Sequence, residues 1–154
     1  MAIFFEELCT EEANSPTDIN STLPTYVLQH TISLEETLPA SIFSGKPSGL
    51  QAIVKYLHEQ KHYSFARIAK LLNRDPRTIW ASYAHVRHLI IPLKESPLLP
   101  VHIFADRHAS TLEHIVFQLK QQGLTFSAIA RLLNKDPRTI WTAHNRLRKK
   151  EVQA

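Results

Sequence analysis

The sequence predicts a mainly α protein, built as two tandem three-helix domains from an internal duplication, each preceded by a short extended segment. Three observations predict it. "LLNRDPRTIW" (71–80) recurs as "LLNKDPRTIW" (132–141) with a single Arg/Lys exchange. From Ile68 to Trp80 against Ile129 to Trp141, 11 of 13 positions are identical and the other two exchange Lys and Arg. Around these stretches apolar residues recur at the three- and four-residue spacing of amphipathic helices. The likeness extends over residues 32–89 against 91–150, with small gaps near Ser96–Leu98, Ser110 and His62, all at expected loops. Two copies are too few for a solenoid. The chain therefore divides into an acidic leader (1–31), repeat 1 (32–90) and repeat 2 (91–154).

Each repeat opens on "LPASIF" or "LPVHIF", where Pro begins a short alternating apolar stretch read as extended. The two pieces are candidates to pair as strands. A first helix follows. In repeat 2, Ser110 with Glu113 three residues on forms a capping box, Leu112, Ile115, Val116 and Leu119 form the apolar stripe, and Gly123 stops the helix. Repeat 1 has Leu50, Ile53, Val54 and Leu57 at the same spacing. The second helix starts at Ser64 or Thr125 as N-cap and runs through "FARIAKLL" or "FSAIARLL". Asn73 or Asn134 closes it, because Asn tolerates the left-handed backbone of a helix end. Asp75 or Asp136 then caps a third helix whose first residue is Pro76 or Pro137, a position that needs no amide hydrogen. Helix, tight turn, helix is the helix-turn-helix arrangement.

"FSAIARLLNKDPRTIWTAHNRLRKK" resembles the helix-turn-helix of sigma-factor region 4 and related bacterial and archaeal regulators. There a short "xxEIAxxL" helix, a turn and a basic recognition helix follow one another. The match covers about 25 residues of each repeat. It departs in having Asn rather than Gly in the turn and no acid before "IA". The resemblance implies DNA binding with the third helix in the major groove.

Charge agrees with a polyanion partner. The net charge of +4 conceals a split. Residues 1–37 carry seven acids and no Lys or Arg, while residues 38–154 hold all 18 Lys and Arg against seven acids, or +11. Apolar content of 44% suffices for a core. Cys9 is alone, which excludes an intramolecular disulfide and a Cys-based zinc site and fits a reducing compartment. No apolar run approaches a membrane span, and "MAIFFEEL" lacks the basic and long apolar regions of a signal peptide. The expected location is cytoplasmic, associated with the nucleoid.

A helical wheel of the third helix separates its tasks, at about 100° per residue. Ile140, His144 and Leu147 in repeat 2, and Ile79, Tyr83 and Val86 in repeat 1, share the core side. Opposite lie Arg138, Thr142, Asn145, Arg146 and Lys149, types that bond base edges or grip phosphates. The corresponding residues of repeat 1 are Arg77, Ala81, Ala84, His85 and His88. Thr78, Lys135, Thr139 and Lys150 complete the candidate DNA contacts. Repeat 2 is thus the stronger reader, since alanines make no polar contact and histidine carries little charge at neutral pH. Trp80 and Trp141 are assigned to packing, in the core or between the repeats.

"HEQKH" (58–62) matches the H-E-x-x-H zinc-protease pattern. It falls at the end of the first helix, repeat 2 has "KQQG" there, and no third ligand stands at a recognisable spacing. No metal, cofactor or catalytic residue is assigned; with three glycines and no phosphate-loop pattern, no enzymatic lead remains. The expected function is sequence-selective binding of double-stranded DNA by two linked heads, as a transcription regulator or a chromosome- or plasmid-organising factor. The alternative is an adaptor using the same folds for protein contacts. A protein partner through repeat 1 or the leader, and a second copy of the chain, stay open. The leader (1–31), with its turn-rich polar stretch "ANSPTDINST", is expected to be flexible; the sharper alternative is that it folds over the basic body and competes with DNA.

Overall fold

The computed structural model describes residues 36–153; the leader, and the first residues of repeat 1, lie outside the described residues. Within them the protein is mainly helical, with six α-helices and a two-stranded sheet. Repeat 1 contributes β1 (Thr37–Pro39), a 3-10 turn (Ala40–Ser44), α1 (Gly49–Glu59), α2 (Phe65–Leu71) and α3 (Pro76–Val86). Repeat 2 contributes β2 (Leu98–Pro100), a 3-10 turn (Val101–Ala105), α4 (Thr111–Gln121), α5 (Phe126–Leu133) and α6 (Pro137–Gln153).

The extended segments are shorter than the sequence predicts. Only three residues of each are strand, and "ASIF" and "VHIF" coil into 3-10 turns. In repeat 1 Ala40, Ser41, Ile42 and Phe43 are all buried, which a two-sided strand with one dry face cannot achieve; in repeat 2 Val101 and Phe104 are buried and His102 is exposed. The strands pair antiparallel, Thr37 opposite Pro100, Leu38 opposite Leu99 and Pro39 opposite Leu98.

Caps set the helix boundaries. Ser110 and Glu113 close a reciprocal capping box at α4, and Ser48 with Gln51 does the same at α1. Ser64 and Thr125 accept from the backbone N–H of Arg67 and Ala128. Asn73 (φ 49°) and Asn134 (φ 51°) take the left-handed backbone that ends α2 and α5. Gly123 (φ 90°) ends α4, whereas His62 (φ 55°) occupies the matching place after α1. Asp75 and Asp136 accept from the N–H of Arg77 (2.8 Å) and Arg138 (2.7 Å), launching α3 and α6.

One hydrophobic cluster runs through both repeats. It joins Leu38, Ile42, Ile53, Leu57, Ile68, Leu72 and Ile79 to Leu99, Ile115, Leu119, Ile129, Leu133 and Ile140, and residues from Glu36 onward form one compact unit. The packing crosses over. The 3-10 turn of repeat 1 rests on α5, and that of repeat 2 rests on α2. α1 meets α4 where Gly49 faces Thr111 so closely that a Cβ on Gly49 would stand 2.6 Å from the threonine methyl. Phe43 and Phe104 meet with ring centroids 6.0 Å apart.

The third helices differ in length. α3 ends at Val86, where buried Lys55 donates to the Arg87 carbonyl (3.0 Å) and to Glu59 (2.6 Å). Residues after it turn back, with Ser41 accepting from the Lys94 N–H and donating to the Lys94 carbonyl. α6 continues to Gln153, fastened by the Lys150–Glu113 ion pair at 2.8 Å. Among the described residues no helix is long and apolar enough to cross a membrane.

Candidate nucleic-acid interface

Ile140, Ala143 and Leu147 bury one side of α6, and half-buried His144 packs its ring against Phe117 and Phe126. α3 buries Ile79 and Val86, and Tyr83 packs against His58 and Phe65. The helices that hold them are α4 and α5 for α6, and α1 and α2 for α3. Each third helix therefore has a fixed rotation, and its remaining side faces outward.

On α6 that outward side carries Arg138, Thr139, Arg146, Arg148 and Lys149 exposed, with Thr142 and Asn145 half-buried among them. Two shallow clefts flank it. One, about 350 Å³, gathers Arg138, Thr139, Thr142 and Arg146 beside Ser110 at the start of α4. The other, about 480 Å³, gathers Trp141, Asn145, Arg148 and Lys149, again with Thr142 and Arg146. The Thr142 hydroxyl donates to the Arg138 carbonyl (2.8 Å), leaving its oxygen free only to accept. Arg77, Thr78 and His85 are exposed on α3, whereas His88, expected on the same helix face, is exposed in the turn beyond its end because α3 stops at Val86. His85 Nδ1 donates to the Ala81 carbonyl (2.7 Å), so Nε2 is the nitrogen turned outward.

Two candidates stand apart from this face. Lys135 belongs to the turn before α6, beside Asn134 and Asp136. Lys150 is drawn to the opposite flank by Glu113. Burial pushes the Glu113 carboxyl up. The Lys150 hydrogen bond, the Ser110 N–H and the Lys150 and Arg146 charges outweigh it, so the group sits below its ordinary range. An ammonium held this way is a helix fastener before it is a phosphate contact.

The assignment of Trp80 and Trp141 to packing is overturned. Their side chains are 60% and 56% exposed. Each follows a fully buried isoleucine by one residue, and a helix turns by about 100° at each step, which carries the indole off the core side. The wheel placed them at the margin; that nothing covers that margin is a tertiary fact. Arg148 was also missed, because its angle lies between the two faces. Neither Arg77 nor Arg138 forms an ion pair with the Asp two residues earlier, which accepts from the backbone instead.

Of the "HEQKH" residues, His58 and Glu59 are engaged in packing and hydrogen bonds, while Gln60, Lys61 and His62 are exposed. His58 stacks on Phe65 (4.3 Å) with Nδ1 2.9 Å from the Tyr63 carbonyl, and Glu59 accepts from Lys55 and from the Tyr83 hydroxyl (3.1 Å). His62 lies beyond the end of α1. Burial, with Glu59 beside it, pushes the Tyr83 phenol up. Among the described residues no three His, Cys, Asp or Glu side chains are grouped to hold a metal ion.

No protein-family model, curated protein or solved structure matches this chain.

Proposed function

We propose that the protein binds double-stranded DNA sequence-selectively, α3 and α6 being the recognition helices of two helix-turn-helix units. What carries the reading is the outward side of α6. Arg138, Arg146, Arg148 and Lys149 surround Thr142 and Asn145 there, on a helix anchored by three buried residues and launched by a short capped turn. Guanidinium groups pair with guanine or phosphate, an Asn amide pairs with adenine, and a helix is the element that fits a major groove. The reading assigns no catalytic step. Regulation of transcription or organisation of a chromosome or plasmid is the corresponding role.

Salt titration of binding to a mixed pool of duplex DNA tests it. Several phosphate contacts release counterions, so affinity falls steeply as salt rises from ~50 to ~200 mM. An affinity that ignores salt, or no binding at low salt, defeats the reading. A second reading, docking of a protein, has one specific support in repeat 1: Trp80 stands exposed next to half-buried Ala81 and Ala84, an apolar strip in place of polar groups.

A further inference from the structure

We infer that the DNA site is an imperfect inverted repeat: two unequal half-sites facing each other across a dyad, bound by one chain. This rests on the reading of α3 and α6 as DNA-reading helices. Two covalently linked copies of a motif can be related by a shift, which suits a direct repeat, or by a two-fold rotation, which suits an inverted one.

The central contacts between the repeats come in reciprocal pairs, and the bonds of Ser41 to Lys94 and Ser96 stand outside that pattern. Leu38 and Leu99 hold the same place in "LPASIF" and "LPVHIF", and they face each other at the centre of the antiparallel pair. On either side the partners swap: Thr37 faces Pro100, and its counterpart Leu98 faces Pro39. The Ala40 N–H donates to the Pro97 carbonyl at 2.9 Å, and the Val101 N–H donates to the Glu36 carbonyl at 2.9 Å. Phe43 meets its own counterpart Phe104, and Gly49 meets its own counterpart Thr111. The 3-10 turn of each repeat rests on the second helix of the other. A shift would place one surface of repeat 1 on a different surface of repeat 2, and would bring no residue onto its own counterpart. Contacts of like with like are the mark of a two-fold axis, here inside a single chain.

B-form DNA has two-fold axes of its own across its backbone, so heads related by rotation meet the same backbone geometry in two oppositely oriented half-sites. Arg77 and Arg138, Thr78 and Thr139, and Trp80 and Trp141 are identical pairs and give both halves a common part. Ala81, Ala84, His85 and His88 stand where repeat 2 has Thr142, Asn145, Arg146 and Lys149. The half read by α6 therefore carries more sequence information.

Selection of the full chain on random duplex DNA tests this without altering the protein. The expected product contains two related elements in inverted orientation, one better defined than the other. Reversing one element in place then weakens binding by about tenfold or more, the effect of losing base contacts. An enriched direct repeat, a lone element, or one duplex per head overturns the inference while DNA binding stands; no enrichment and no salt-sensitive binding overturns both. The variant Ala81→Thr/Ala84→Asn/His85→Arg/His88→Lys supplies the converse measurement. It gives repeat 1 the outward-facing residues of repeat 2, and its selected site becomes more nearly palindromic. An unchanged, unequal site in a variant with unchanged helical circular dichroism counts against the inference.

Discussion

From Ile68 to Trp80 and from Ile129 to Trp141 the two repeats use nearly the same residues for the same work. Asn73 and Asn134 end a helix in left-handed backbone, Asp75 and Asp136 cap the next, and Ile79 and Ile140 are fully buried. Beyond the tryptophans the repeats separate. In repeat 1, Lys55 is buried under the end of α3 and α3 stops; in repeat 2, Phe117 holds that place and α6 runs on to Gln153, tied by Lys150 to Glu113. The difference teaches that the shared stretch is an instruction for folding. What each third helix exposes, and how far it reaches, is written after that stretch and in the first helix beneath it.

The comparison breaks first at the core, if at all. Ile79→Ala and Ile140→Ala each remove a fully buried side chain and are expected to cost about 4 kcal/mol. Because both lie in one cluster, each variant should still unfold in a single transition on heating. Two separated transitions would mean that the repeats hold independent cores. Glu59→Gln comes next. It leaves the Lys55 ammonium buried against a neutral partner and should destabilise by about 3 kcal/mol in denaturant unfolding. A neutral outcome would reopen Glu59 to roles other than holding Lys55.

On DNA, Arg146→Ala or Asn145→Ala should weaken specific binding by about 2 kcal/mol, measured by fluorescence anisotropy, and His85→Ala by less than about 0.5 kcal/mol. Equal losses would remove the functional asymmetry between α3 and α6. The Glu113–Lys150 pair sharpens the comparison through pH. Glu113 is held below its ordinary value of 4.5, so the folded protein binds fewer protons there than the unfolded chain. Its contribution is complete above 4.5 and is lost as pH falls through the lower folded value. Glu113→Gln should lower the melting temperature at neutral pH and flatten the acid limb. Among the stability changes the smallest is expected at Asn134→Ala, about 1 kcal/mol for an alanine forced into left-handed backbone.

Much of this was legible in the chain because it is local. Caps, stops and the buried stripe of each helix depend on residues within four positions of one another, so Ser110, Asn134, Asp136 and Pro137 announce their own roles. Tryptophan 80 and 141 were misjudged because an apolar residue at the margin of a buried face is covered or bare according to what packs alongside. "ASIF" and "VHIF" were read as extended because nothing within them says that the other repeat will close over them. The same limit hid the role of Lys150, whose partner Glu113 lies in another helix.

By itself the sequence determined that one stretch is used twice in a mainly helical chain, which residues cap its helices, and that only the second copy is followed by a dense set of cationic and amide residues. Tertiary structure decided that the repeats interlock about Leu38 and Leu99, share one core, leave both tryptophans bare and fasten α6 through Glu113. The reason is range. Capping and periodicity act over one or two turns of helix, whereas reciprocal packing and ion pairing join residues that only the completed fold brings together.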